Sequence, residues 1–300
     1  MQKSETALRN TLATGDAART GATLRIASML ASATEIVVAL GLEDSLVAIS
    51  HECDFPPQVL DRPRVSRPRF DPAGLDSGDI DRAVRQAMLE HGSVYEVDAA
   101  RLSALQPTLV LTQAVCEVCA VPTPGVREVV ARHHIGATVL SLDAHTLADV
   151  LDSIASVGRA AGVPERAAAL VAALRERVDR VRREVAGLAC PRVLAIEWLD
   201  PPFVPGHWVP EMIEVAGGSN LAGRTGERSQ QTSWEALEGL DPDVLIVMPC
   251  GYGLAASIAD ADRFAQELRR SASRAIDAGR AWVVDGSSWF NRSGPRIAGG

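Results

Sequence analysis

The sequence predicts an α/β protein: two Rossmann-like α/β lobes joined by a long backbone helix, with a ligand cleft between the lobes. Three observations carry this. Short β-rich apolar runs alternate with segments of helical period, the pattern of parallel sheets. The segment LSALQPTLVLT at 102–112 can be laid on LEGLDPDVLIV at 237–247, so a helix end, a Pro turn and a buried strand recur 135 residues apart. Between the halves, a stretch rich in Ala, Leu, Arg and Glu opens at Pro164 and keeps helical spacing to about Ala186.

In chain order, residues 1–22 read as a mobile N-terminal tail. The N-terminal lobe follows over 23–145. TLRIASML (23–30) is a strand, and Ser32 and Glu35 have capping-box spacing ahead of an apolar helix that Gly41 closes. LVAIS (46–50) is a second strand, and residues 61–80, rich in Pro, Arg, Gly and Asp, read as a surface loop. TLVLTQ (108–113) and TVLSL (138–142) are further strands around a helix from Pro124 to His133 or His134, two histidines read as structural. Connecting helices fill 146–189, the first capped by Thr146 and Asp149. The C-terminal lobe, 190–300, carries strands at RVLAIEW (192–198), DVLIVM (243–248) and AWVVD (281–285), with helices near 208–216, 233–239 and 258–272.

Composition narrows the classes. The 300 residues are 47% hydrophobic and 23% charged, as in ordinary globular proteins, and 30 Lys+Arg against 38 Asp+Glu give a net charge of −8. A negative surface repels phosphates, so no nucleic-acid partner is expected. Windows of spanning length all carry charge, so no membrane insertion is expected. The polar N-terminus lacks an apolar signal stretch, so the chain as written is expected to be cytoplasmic, or periplasmic or extracellular if the true N-terminus differs. Five cysteines, an odd number, fit reduced thiols.

Ligands of open parallel sheets lie beyond the carboxyl ends of strands, where Cys116 and Cys250 fall. Cys116 and Cys119 form a C-x-x-C pair suited to zinc, an iron–sulfur centre or redox chemistry, or they are buried thiols. Cys53, Cys250, His51 and His207 could join them only through folding. A cleft imidazole at His51 or His207 suits an axial contact to a chelated metal, or a hydrogen bond. Tyr95, Trp198, Phe203, Trp208, Tyr252, Trp289 and Phe290 lie outside the main apolar runs, and rigid aromatic faces suit a flat ligand. Arg292 and Arg296 frame Ser293-Gly294-Pro295 and could pair with ligand groups or with buried carboxylates. The four acids from Asp71 to Asp81 read as a solvated loop.

SATEIVVALG, CDFPP, the L-x-x-L-x-P-x-L-V-L strand, EWLDPPFVPGHW, EVAGGSN and NRSGPR, in order from about residue 23 to residue 297, resemble the vitamin B12-binding branch of the helical-backbone periplasmic binding proteins, a class that includes iron–siderophore and haem binders. The resemblance implies two lobes that move little and a solute-binding function for cobalamin, a related corrinoid or another small-molecule metal chelate. It implies ligand-binding roles for Tyr95, Phe203 and Asn291, to which the residue reading adds Cys116, His207, Trp208, Tyr252 and Arg292, with Cys116 and His207 as metal contacts. Relatives that dock on an ABC transporter carry an acid where this chain has Ala100. Transporter docking is therefore not expected unless Glu96 or Asp98, with Glu211 or Glu214, replace it. The rival reading is a cytosolic metal-dependent enzyme using a Cys/His-lined cleft on the same scaffold.

Overall fold

The computed structural model describes residues 23–115 and 121–300. In the first lobe, β1 (Ile26–Ser28) leads into α1 (Ala31–Ala39), and β2 (Leu46–Ala48) follows. A hairpin-like pair, β3 (Ser66–Pro68) and β4 (Tyr95–Val97), brackets α2 (Ser77–His91). Then come α3 (Ala99–Ala104), β5 (Leu109–Thr112), α4 (Thr123–Arg132) and β6 (Thr138–Ser141). The strands β2-β1-β5-β6 form one parallel sheet. Its two apolar faces are covered by α1 with the connecting helices on one side, and by Leu102, Val126 and Val130 of α3 and α4 on the other.

Two helices connect the lobes. In α5 (Leu147–Ala160), Thr146 and Asp149 form the expected capping box, worth about 1 kcal/mol of helix stability. The 22-residue α6 (Pro164–Val185) starts with Pro in its first turn, as the sequence predicts. Its N-terminal end is fixed to the first lobe, where Arg166 donates to the Leu40 and Gly41 carbonyls and Ala167, Val171 and Leu174 enter the α1 core. Its far end meets the second lobe, where Arg182 pairs with Glu211 and Val185 packs on Gly217.

The second lobe runs β7 (Arg192–Ile196), β8 (Trp198–Leu199), β9 (Pro202–Val204), α7 (Val209–Val215), β10 (Ser219–Asn220), β11 (Gln230–Gln231), α8 (Trp234–Glu238), β12 (Val244–Val247), α9 (Leu254–Arg263), α10 (Ala265–Asp277), β13 (Ala281–Val283) and α11 (Gly286–Trp289). Its parallel sheet has the order β10-β7-β12-β13, the same pattern as in the first lobe, and no described strand crosses from one main sheet to the other.

The internal repeat is therefore structural. Gln106 and Asp241, at matching places before β5 and β12, both take left-handed backbone, with φ of 44° and 41°. Arg25, ahead of β1, donates to the Leu105 and Gln106 carbonyls, and Arg192, opening β7, donates to those of Leu240 and Asp241. The Arg25 amide meets Thr108 Oγ1 as the Arg192 amide meets an Asp243 carboxylate oxygen. One αβ junction is built twice from matching contacts.

Three local expectations are corrected. Ser32 and Glu35 cap nothing: α1 begins at Ala31 with Leu30 as its N-cap, and both polar residues are buried inside the helix. Tertiary partners in the second lobe account for them, as described below. The loop expected over 61–80 contains β3, and α2 begins at Ser77. Asp76 caps α2 through the Asp79 amide, and Gly92 ends it in left-handed backbone. Asp79 and Asp81 thus belong to a helix rather than a solvated loop. Finally, the helix expected near 258–272 is two helices meeting at Phe264.

Candidate functional site

The loops that leave the carboxyl ends of both sheets meet along one seam. After β1 and β2, Ser32, Glu35 and Asp54 touch Ser293, Arg296 and Arg292 of the loop beyond β13. Beyond β6, the His145 ring lies 5.8 Å from that of His207, and Glu211 accepts from the Leu147 amide at 2.9 Å. Along a third edge, the N-terminus of α2 abuts α9: Ser77 donates to Asp260 at 3.0 Å and Arg263 to Asp76 at 2.8 Å. Arg85 of α2 also donates to Gln231, which pairs with Phe203.

Aromatic side chains gather beside these contacts. Trp198 stands opposite Phe203 in the β8–β9 hairpin, and its ring centroid lies 5.1 Å from that of Tyr252. All three are half-buried. The Trp198 indole donates to the Asp200 carbonyl, fixing its plane. The Asp200 carboxylate reaches Gly78 of α2 so closely that a Cβ there would lie 2.4 Å from its oxygen, so a larger residue at 78 would have to turn the Asp200 side chain aside. From the first lobe, the Tyr95 ring lies 4.7 Å from His51, whose Nδ1 shares a 2.8 Å hydrogen bond with Ser66. Burial and the nearby Asp260 and Asp76 charges push the Tyr252 phenol up to about 12.

His207 is held by backbone. Its φ of 52° is left-handed, its amide donates to the Glu227 carbonyl at 2.6 Å, and its carbonyl accepts from Gly226 at 2.9 Å. This pairing needs Gly206, because a Cβ there would lie 2.3 Å from the Glu227 carbonyl oxygen. The imidazole Nδ1 is buried without a hydrogen-bond partner. Burial first, then the charges of His145 and Arg228, hold the ring below its ordinary value, so it is neutral near pH 7. A neutral imidazole with a free lone pair can accept a hydrogen bond or meet a metal centre.

Other expected residues are engaged elsewhere. Trp208 is a core residue, 8% exposed, its indole donating to the Phe290 carbonyl at 2.7 Å. Arg292 donates to both Asp54 carboxylate oxygens and to the Glu52 carbonyl. Burial opposes its charge, but Asp54, Glu35 and Glu52 outweigh that and raise it, so the guanidinium is an interlobe clamp. Asn291 spans the two readings: its Nδ2 donates to the Met248 carbonyl, while its Oδ1 is buried and unpartnered. Cys53 sits 1% exposed in the first-lobe core beside Thr34, where burial raises its thiol. Cys250 is half-buried after β12, with its amide on the Glu197 carbonyl. Cys116 and Cys119 lie outside the described residues.

Among the acids considered for docking, Asp98 caps α3, Glu96 pairs with Arg67, and Glu211 accepts from the Leu147 amide and faces Arg182 at 3.9 Å. Glu214 is exposed. Sequence reasoning missed His145, Asp76, Asp200 and Asp260. His145 was findable, since it follows the strand at 138–142 as His51 follows that at 46–50; the acids converge only through tertiary contact. A cavity of about 500 Å³ opens beside β3 and β4, lined by residues such as Arg67, Phe70, His91 and Glu96; none of the expected ligand residues lines it. Among the described residues, no group of three or more His, Cys, Asp or Glu side chains could hold a metal ion. No helix there is long and apolar enough to cross a membrane.

The sequence pattern of the periplasmic binding proteins matches residues 26–281. The chain belongs to that family. It is 23% identical to a vitamin B12-binding protein of Vibrio cholerae serotype O1 over 275 residues, 91% of this chain and 84% of that protein. Among solved structures, it is similar to a periplasmic heme-binding protein from Pseudomonas aeruginosa, with TM-score 0.68, 25% identity, and coverage of 91% of this chain and 88% of that one. The periplasmic vitamin B12 binding protein BtuF of Vibrio cholerae gives TM-score 0.65 and 23% identity, covering 92% of each chain. The helical-backbone, two-lobe architecture expected from the sequence is that of these neighbours, and the chain is a solute-binding protein by family.

Proposed function

We propose that the chain binds a flat metal chelate of the corrinoid type between its lobes. The observation that carries this is the half-buried aromatic group Trp198, Phe203 and Tyr252, gathered at the carboxyl end of one sheet beside the seam. Such rings cover a macrocycle face with little loss of entropy. Tyr95 and His51 stand at the matching end of the other sheet. His207, with its unpartnered Nδ1, supplies a polar or coordinating contact to the chelated metal. Support also comes from relatives described as binding vitamin B12 or heme. The protein performs no chemistry in this reading; it holds its ligand.

Titration of the purified chain with cyanocobalamin, a cobinamide and haemin, followed by visible absorbance and calorimetry, tests the proposal. Saturable one-to-one binding of a corrinoid is expected. Haemin binding with no corrinoid binding would replace the corrinoid by a porphyrin, and no binding of any of them would end the chelate reading.

A further inference from the structure

We infer that the seam selects a chelate whose rim is uncharged and rich in N–H donors, and rejects one whose rim carries free carboxylates. This rests on the proposed chelate binding and adds the chemistry by which this chain distinguishes chelates of one shape.

Hydrogen-bond acceptors are left over at the seam. Asp260 is 4% exposed; its Oδ1 accepts from Ser77 while its Oδ2 has no hydrogen-bond partner. The Asn291 amide is oriented by its donation to Met248, which leaves Oδ1 as an unmet acceptor. His207 Nδ1 is unmet as well, and is a third acceptor in the tautomer that carries the ring proton on Nε2. A buried acceptor without a donor forfeits the hydrogen bond it had in water, so a ligand N–H that reaches it recovers that loss, whereas a ligand carboxylate brings a further acceptor.

Charge points the same way. The arginines that bridge the lobes are each held by a carboxylate: Arg85 by Asp81, Arg263 by Asp76, Arg292 by Asp54 and Arg296 by Glu35. At the α2–α9 edge, Asp76, Asp200 and Asp260 stand against Arg263 and Arg82, and Arg82 is itself paired with Asp79, so acid is in excess beside Trp198 and Tyr252. Arg228, near His207, is exposed, and solvent screens its charge. A rim carboxylate entering at the α2–α9 edge would be desolvated, find Arg263 and Arg82 already paired with Asp76 and Asp79, and meet an excess of acid; on the other side Arg64, bonded only to backbone carbonyls, is the guanidinium it could reach. A rim of primary amides is uncharged and supplies the missing donors.

The test compares two corrinoids of one shape: a cobinamide, with an amide rim, and cobyrinic acid, in which the amides are carboxylates. The full chain is titrated with each at pH 7 and low salt, with haemin as an unrelated carboxylate-bearing macrocycle. The amide corrinoid is expected to bind at least tenfold more tightly, and Asp260→Asn, which removes one charge, to narrow that gap. If Asp260→Asn does not fold, Asn291→Asp, which adds a charge, is expected to widen it. Equal or tighter binding of cobyrinic acid overturns this inference and leaves chelate binding standing. A gap unmoved by the folded variants overturns the assignment to these residues. Failure of all three probes overturns the chelate reading and this inference with it.

Discussion

Arg296 closes a two-pronged ion pair on Glu35, with its Nε 2.9 Å and its Nη2 2.6 Å from the two carboxylate oxygens, across 261 residues of chain. Glu35 is buried on α1, Arg292 lies 3.8 Å from it, and the Arg296 guanidinium also lies 4.4 Å over the Phe55 ring. Removing the cation leaves a buried carboxylate short of its main partner. Arg296→Ala is therefore expected to cost about 3 kcal/mol in denaturant unfolding, and Glu35→Gln, which stays uncharged, less. A loss for Arg296→Ala no larger than that of an ordinary surface substitution would contradict the assignment.

Asp260 predicts a pH effect opposite to that of most carboxylates. Burial is the main cause that raises it, and Asp76 and Asp200 add to that, against the Ser77 hydrogen bond and Arg263. A carboxyl raised on folding holds its proton more tightly in the native state. Its contribution thus favours folding below the ordinary value of 3.8 and is lost as pH rises through the folded pKa. The melting temperature of Asp260→Asn minus that of wild type is expected to grow through that window and then level off. A difference independent of pH would count against a raised Asp260.

His207 carries the reverse sign. Its depressed pKa means that its stabilising contribution is present above 6.5 and lost as pH falls from there through the folded value. NMR titration of the ring should place its midpoint below 6.5. A midpoint at or above that value would mean the ring is neither as buried nor as close to positive charge as described.

Phe203→Ala is expected to weaken corrinoid binding by roughly 1–3 kcal/mol, with little change in the visible spectrum. His207→Ala should shift the spectrum as well, since the two residues would touch different parts of the ligand. Identical behaviour of the two variants would dissolve the separation of roles.

Much of the fold was legible because local chemistry and tertiary structure agree. The repeated L-x-x-L-x-P pattern marks a junction in which Gln106 and Asp241 turn alike and Arg25 and Arg192 lock it alike. Thr146 and Asp149 cap the helix that their spacing announces. Where the two levels differ, the sequence misleads. Ser32 and Glu35 have capping-box spacing, yet their partners are Ser293 and Arg296, which no local window contains. The start of α2 did carry a signal, since Asp76 lies three residues before Asp79, but the Pro- and Gly-rich run before it hid the helix. At the site, single aromatics after strands could be named from sequence. The convergence of Asp76, Asp200 and Asp260 could not, because it depends on how α2 meets α9.

The fixing of α6 at both ends has a consequence for how a solute is held. Its first turn is tied through Arg166 to the carbonyls that follow α1 and its last turn faces α7 through Arg182, so a change in the spacing of the two sheets would have to disturb contacts at both ends of one helix, as a caliper's jaws move only when its beam gives. Under the proposed chelate binding, thickness would then become a criterion of its own: a planar guest would touch both lobes at once, and a bulkier one would have to displace a helix rather than a loose hinge.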